Sequence, residues 1–111
     1  MPTPTNPRTQ ALMPSGPLRR KLRAAGHHLS PVVQVGKEGV SEAVLRQLDR
    51  ALLDHELVKV KVGSESPEDR HEAAAALRDG APGAVLAQVL GRTVLLYRRH
   101  PRKPRFEPLP G

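Results

Sequence analysis

The run Leu57-Val58-Lys59-Val60-Lys61-Val62 constrains the fold more than any other stretch of the chain. From Val58 onward, apolar and cationic residues alternate strictly. Successive side chains of an extended strand point to opposite faces, so Val58, Val60 and Val62 share one face and Lys59 and Lys61 the other. That is a strand with one buried face, and the rest of the chain has to supply its neighbours and its cover.

The cover is helical. Leu18, Leu22 and Ala25 recur at i, i+4 and i+7 in a helix that starts at Ser15, has Pro17 in its first turn and stops at Gly26. Val44, Leu45, Leu48, Ala51 and Leu52 carry the same spacing in a second helix capped by Ser41. A third begins at Ser66-Pro67-Glu68-Asp69, where Ser66 is expected to cap, Pro67 to take the first helical position and the acids to face the helix dipole. It runs through Ala73, Ala74 and Leu77 to Gly80. The other strands are Val32–Val35, Ala84–Leu90 and Thr93–Arg98, and Gly91-Arg92 between the last two suits a two-residue type II′ hairpin turn. With only Tyr97 and Phe106 as aromatics, the core has to be built from Val, Leu and Ala.

The order α-β-α-β-α-β-β gives an α/β fold: one small domain with a mixed four-stranded sheet and helices packed on it. The βα units favour parallel pairing and the closing hairpin must be antiparallel. The 111 residues allow a single domain. Residues 1–14, with four prolines, are expected to be a disordered tail, residues 15–100 the folded unit, and residues 101–111 a basic, Pro-rich disordered tail.

Lys and Arg number 18 against 11 Asp and Glu, a formal charge of +7. A field of that sign concentrates polyanions, nucleic acid first and an anionic membrane surface second. The cations are clustered: Arg19, Arg20, Lys21 and Arg23 lie on the first helix, and Arg98, Arg99, Arg102, Lys103 and Arg105 form a stripe that suits a nonspecific electrostatic arm. The absence of cysteine excludes disulfides and thiolate metal sites. No apolar stretch is long enough to span a membrane and residues 1–13 lack a signal-like apolar core, so a cytoplasmic protein is expected. His27, His28, His55, His71 and His100 match no ligand spacing, and no metal or cofactor is expected. Ser41, Ser64 and Ser66 sit where caps and loops belong, and Glu68, Asp69 and Glu72 crowd one helix start. Neither group makes a nucleophile–base pair or a carboxylate pair in an apolar pocket, so no enzyme is expected.

Gly36-Lys37-Glu38-Gly39 lies between a strand and a helix start. Glycines there let the backbone approach a ligand, the helix start offers free N–H groups, and Lys37 adds a cation. The KH domain clamps nucleic-acid backbone with such a GXXG loop. On this reading both glycines serve the ligand, and alanine at both should weaken binding while leaving thermal stability near that of the parent.

Four blocks of the chain resemble the CRM domain family (chloroplast RNA splicing and ribosome maturation), whose single-domain bacterial members are called YhbY-like. They are Leu18–Ala24, His28–Val40, His55–Lys61 and Gly91–Arg98, in order, and the resemblance covers residues 17–99. It implies a fold like the C-terminal domain of bacterial initiation factor three and RNA binding through the GxxG loop and a nearby basic surface. It also implies association with precursors of the large ribosomal subunit. The Ala-rich third helix and the loop Gly80–Gly83 depart from the family without touching the motif.

The expected protein is a monomeric RNA-binding domain without chemistry of its own. Its candidate RNA contacts are Gly36, Lys37, Glu38, Gly39, Arg19, Arg20, Lys21, Arg23, Lys59, Lys61, Arg92, Arg98 and Arg99. Lys59 and Lys61 serve equally well as guards against strand aggregation, and Arg92 as a plain turn residue. A module that docks on a ribosomal or RNA-processing protein is the alternative, and a DNA-binding nucleoid-type protein a third reading.

Overall fold

The structure, a computed structural model, describes residues 16–106. The N-terminal tail and the expected cap Ser15 lie outside the described residues. The elements are α1 (Gly16–Gly26), β1 (Val33–Val35), α2 (Glu42–His55), β2 (Leu57–Val62), α3 (Arg70–Gly80), β3 (Val85–Leu90) and β4 (Thr93–Tyr97). This is the expected α/β order. The four strands form one mixed sheet in the order β1-β2-β4-β3. β1 pairs parallel with β2, Val33 opposite Val60, whereas β4 runs antiparallel to both β2 and β3. β4 therefore sits between β2 and β3, and α3 carries the chain across it. Gly91 has φ +57° while Arg92 does not enter the positive-φ region, as a II′ turn requires.

Both faces of the sheet are covered. Val58, Val60 and Val62 pack with Val33, Val35, Val94 and Leu96 under Leu48 and Leu52 of α2 and Ala73, Ala74 and Leu77 of α3. On the opposite face Leu57, Ala87, Leu95 and Tyr97 meet Leu22 of α1, with Leu18, Ala25 and Phe106 packed against them. The lysine face of β2 is thus not wholly open: Leu57 is buried, Lys59 half-buried and Lys61 exposed. Ala87 shares this second layer with Val85 by strand alternation and lies at a bulge, where the β3–β4 register shifts between Leu86 and Gln88.

The third helix starts later than its local sequence suggests. Its cap is Asp69, whose carboxylate accepts the N–H groups of His71 and Glu72 at 2.8 Å, while Glu72 accepts the Asp69 N–H at 3.1 Å. That reciprocal capping box outcompetes a lone serine cap. Ser66 Oγ instead accepts the Glu68 N–H within the preceding loop, and Pro67 lies outside the helix.

Residues 101–106 are held by specific contacts rather than left as a loose arm; 107–111 lie outside the described residues. The anchor is Glu56, at the C-terminal end of α2, only 2% exposed and with φ +67°. Such a position ordinarily favours Gly or Asn. Here the side chain is needed: its carboxylate accepts the Arg105 N–H at 2.6 Å and the Phe106 N–H at 3.4 Å. Tyr97 Oη donates to the Phe106 carbonyl at 3.0 Å, and the two rings meet edge to face at 6.1 Å. Proline content and the lack of local periodicity conceal this, because the partners lie about fifty residues away.

Two predictions follow from these contacts. Glu56→Ala leaves two main-chain donors unpaired and should cost about 1–3 kcal/mol in denaturant unfolding; tryptic cleavage after Arg105 should become faster. Asp69→Ala should cost about 1 kcal/mol at neutral pH. The Glu72 N–H, and after it the His71 N–H, hold the Asp69 carboxyl below its ordinary value. Its contribution is therefore complete above the usual aspartate value near 4 and lost as pH falls through the lowered one, so wild type and variant should converge in acid.

Candidate nucleic-acid interface

The loop Gly36–Gly39 joins β1 to α2. The Gly39 N–H closes it on the Gly36 carbonyl at 2.9 Å, and the Ser41 N–H reaches the Gly39 carbonyl at 2.9 Å. Ser41 caps α2, its hydroxyl accepting the Val44 N–H at 3.2 Å. Lys37 and Glu38 are exposed at the tip, Gly36 is half-buried and Gly39 buried.

The two glycines have different tasks. Gly39 has φ +72°, and a Cβ there would stand 2.5 Å from Glu68 Oε1. The Glu68 carboxylate underpins the loop by accepting the Val40 N–H through both oxygens at 3.2 and 3.3 Å. Gly36 has no positive φ, and its Cβ would meet only Glu65 at 3.9 Å. Half of the motif therefore serves folding, and the expectation that both positions can change without loss of stability fails at Gly39.

The fold then sorts the remaining candidates. β2 places Lys59 and Lys61 on the face covered by α1, because the alternation that buries Val58, Val60 and Val62 under α2 and α3 turns the lysines the other way. α1 carries Arg19, Arg20, Lys21 and Arg23 and no acid. Of these, Arg20 and Lys21 are exposed and Arg19 and Arg23 half-buried. α2 and α3 carry Arg46, Arg50, Arg70 and Arg78 against Glu42, Asp49, Asp54, Glu72 and Asp79. The sheet thus separates a basic side from a charge-balanced one.

Arg92, exposed at the hairpin tip, lies at the loop's end of the sheet: the Val62 N–H bonds its carbonyl at 2.7 Å and the Gly63 N–H bonds that of Val35 at 2.8 Å. Arg98 and Arg99 follow β4 at the other end. The Arg98 side chain, 17% exposed, holds Asp49 Oδ1 at 2.8 Å and the Asp49 carbonyl at 3.1 Å, which ties it to α2 rather than to the basic side. Arg99 is exposed. His28 and His55, distant in sequence, border one small cavity with Lys59 and Arg105. Composition gave no sign of that meeting, which depends on both helix ends converging on the start of β2.

The architecture is that of a small α/β domain with a glycine loop at a helix start and a one-sided basic surface. Residues 15–98 match the CRS1/YhbY (CRM) domain, and the chain belongs to that family. It is 38% identical to the probable RNA-binding protein YqeI of Bacillus subtilis over 86% of this chain and 98% of that protein. It is 39% identical to the probable RNA-binding protein PA4753 of Pseudomonas aeruginosa over 76% and 80% of the two chains. The solution structure of SAV1595 from Staphylococcus aureus, described as a candidate RNA-binding protein, superposes with a TM-score of 0.69 at 32% identity. That match covers 81% of this chain and 93% of the other.

The asymmetry of the loop is testable by denaturant unfolding. Gly39→Ala should lower stability by about 1–2 kcal/mol from the left-handed backbone alone, with the Glu68 clash adding to it. Gly36→Ala should stay within about 0.5 kcal/mol of wild type, as ordinary surface substitutions do.

Proposed function

We propose that this protein binds RNA, as a monomer, and that its target is precursor large-subunit ribosomal RNA during ribosome assembly. The observation that carries the reading is the segregation of charge by the sheet. α1, with no acid of its own, lies on the same face as Lys59 and Lys61, and the exposed members of this set present one continuous sign to a phosphate backbone. The names of the relatives point the same way.

In this reading the Gly36–Gly39 loop positions and the basic side attracts. Lys37 offers a cation at the tip, but Glu38 stands beside it, and Glu68 already occupies the Val40 N–H. A phosphate therefore meets the loop from its exposed side, while Arg19, Arg20, Lys21, Arg23, Lys59, Lys61 and Arg92 supply the wider field. Arg99 extends it toward the chain's end, and Arg98 keeps α2 in place. Aromatic contacts are few, because Tyr97 is buried and Phe106 is the only other Phe, Tyr or Trp side chain. Sequence preference should be weak and shape preference stronger. No step of this function requires a catalytic group or a cofactor, and a cytoplasmic site of action follows from the target.

The test compares two charge-matched changes by binding to a large-subunit ribosomal RNA fragment. Arg20→Gln with Lys21→Gln on α1 should weaken binding about tenfold and flatten the salt dependence by roughly 0.7–0.9 of a log unit per lost contact. Arg46→Gln with Arg50→Gln on α2 should change affinity less than about twofold, since those arginines sit among carboxylates. Equal effects, or a wild-type affinity nearly independent of salt, would overturn the reading and favour docking on a protein. Crosslinking in cells with sequencing of the bound RNA identifies the target.

A further inference from the structure

We propose that the cavity between the end of α1, the start of β2 and the C-terminal segment is a subsite for one unstacked nucleotide, its base against Phe106 and its phosphate held by Lys59 and Arg105. The proposal rests on the RNA-binding reading and extends it to a site outside the glycine loop.

The cavity has a volume of about 310 Å³, within the range of small-ligand pockets. Leu57 and Phe106 give it an apolar floor, and His28, His55, Lys59 and Arg105 its polar rim. Among the described residues no Asp or Glu lines it. That separates it from the larger clefts of the molecule. The cleft along α2, about 870 Å³, includes Asp49 and Asp54, and the one beside the start of α3, about 650 Å³, includes Glu68, Asp69 and Glu72. In both, carboxylates stand beside the cations, Arg46 and Arg50 in the first and Arg70 and Arg92 in the second, so neither offers a phosphate cations alone.

The carboxylate of Glu56, which lies between the lining residues His55 and Leu57 in the chain, is buried and bonded to the Arg105 and Phe106 N–H groups. The same bonds fix the ring of Phe106, which meets Tyr97 edge to face. A flat apolar surface beside cations and hydrogen-bonding rings is the chemistry that recognises a single splayed base and its phosphate.

The approach is also basic. A shallow hollow of about 350 Å³ adjoins the cavity through Val32 and is lined by Pro31, Gln34 and Lys61, again without an acid. Gln34 lies opposite Lys61 in the β1–β2 register, and β1 runs on into Gly36. The uncovered side of β1 thus forms a track from the glycine loop to the cavity. Its length is about 13 Å for the four steps from Val32 to Gly36. A single strand leaving the loop along this track would arrive at Lys59 and the pocket.

The experiment uses the full chain and two probes: a single-stranded oligoribonucleotide of about eight residues and the same backbone made abasic throughout. Wild type should prefer the intact strand about tenfold, as one stacked base allows. Phe106→Leu keeps an apolar anchor and the main-chain bonds to Glu56, yet should bring the ratio of the two dissociation constants close to one while leaving abasic binding unchanged. His28→Ala, at the rim and away from the core, should lower the same ratio even if Phe106→Leu unfolds. Lys59→Gln should weaken both probes alike.

An unchanged ratio in both Phe106→Leu and His28→Ala overturns the subsite while the RNA reading stands. Wild type that binds neither probe nor ribosomal RNA overturns both. Sedimentation that shows a wild-type dimer dissolved by these substitutions, with the ratio unchanged, assigns the cavity to a second copy of the chain and overturns the proposal.

Discussion

The placement of β2 between β1 and β4 decides the core and the charged surface together. Val60 is opposite Val33 on one side and Val94 on the other, and the three valines of β2 are sealed under α2 and α3. A slip of one residue would drive Lys59 and Lys61 into that apolar layer and turn the valines toward α1. Burial of a lysine there costs several kcal/mol or forces it to lose its proton, so the register is strongly defined. The position of the basic side is therefore a consequence of hydrophobic burial on the opposite face.

The parts of this arrangement that were legible in the sequence are the local ones. Alternation in β2, helical spacing in α1 and α2, and the Gly91-Arg92 turn each reflect contacts within a few residues. The competition between Ser66 and Asp69 as caps was local too, but two caps were available and the reciprocal Glu72 contact decided between them. Other features have distant partners. Glu68 reaches Val40 across 28 residues and Glu56 reaches Phe106 across 50, and no periodicity encodes either contact. Arg98 and Arg99 are neighbours of the same type, and it is the arrival of Asp49 from α2 that ties Arg98 to that helix.

The two glycines of the GxxG tetrapeptide are divided in purpose. Gly39 carries a backbone conformation and a close approach to Glu68 that no other residue tolerates well, so its presence is explained without a ligand. Gly36 has neither constraint. Lys37 and Glu38 at the tip nearly cancel in charge. The loop by itself would be a poor attractor of phosphate, and in the proposed function its contribution lies in fixed geometry at the edge of a field generated elsewhere.

That field is shaped as much by the acids as by the cations. Asp49 is tied to Arg98, Asp54 faces Arg50 at 3.8 Å, and Glu56 is turned inward onto main-chain donors. The first two keep their charge on the α2 side of the sheet, and the third is withdrawn from the surface altogether. α1 adds four cations and no acid of its own. A formal charge of +7 spread evenly would attract a polyanion in any orientation; the same charge sorted across a sheet gives the molecule a direction. In the proposed function, an incoming strand is then drawn to the face where the β1–β2 track and the loop lie, before any short-range contact forms.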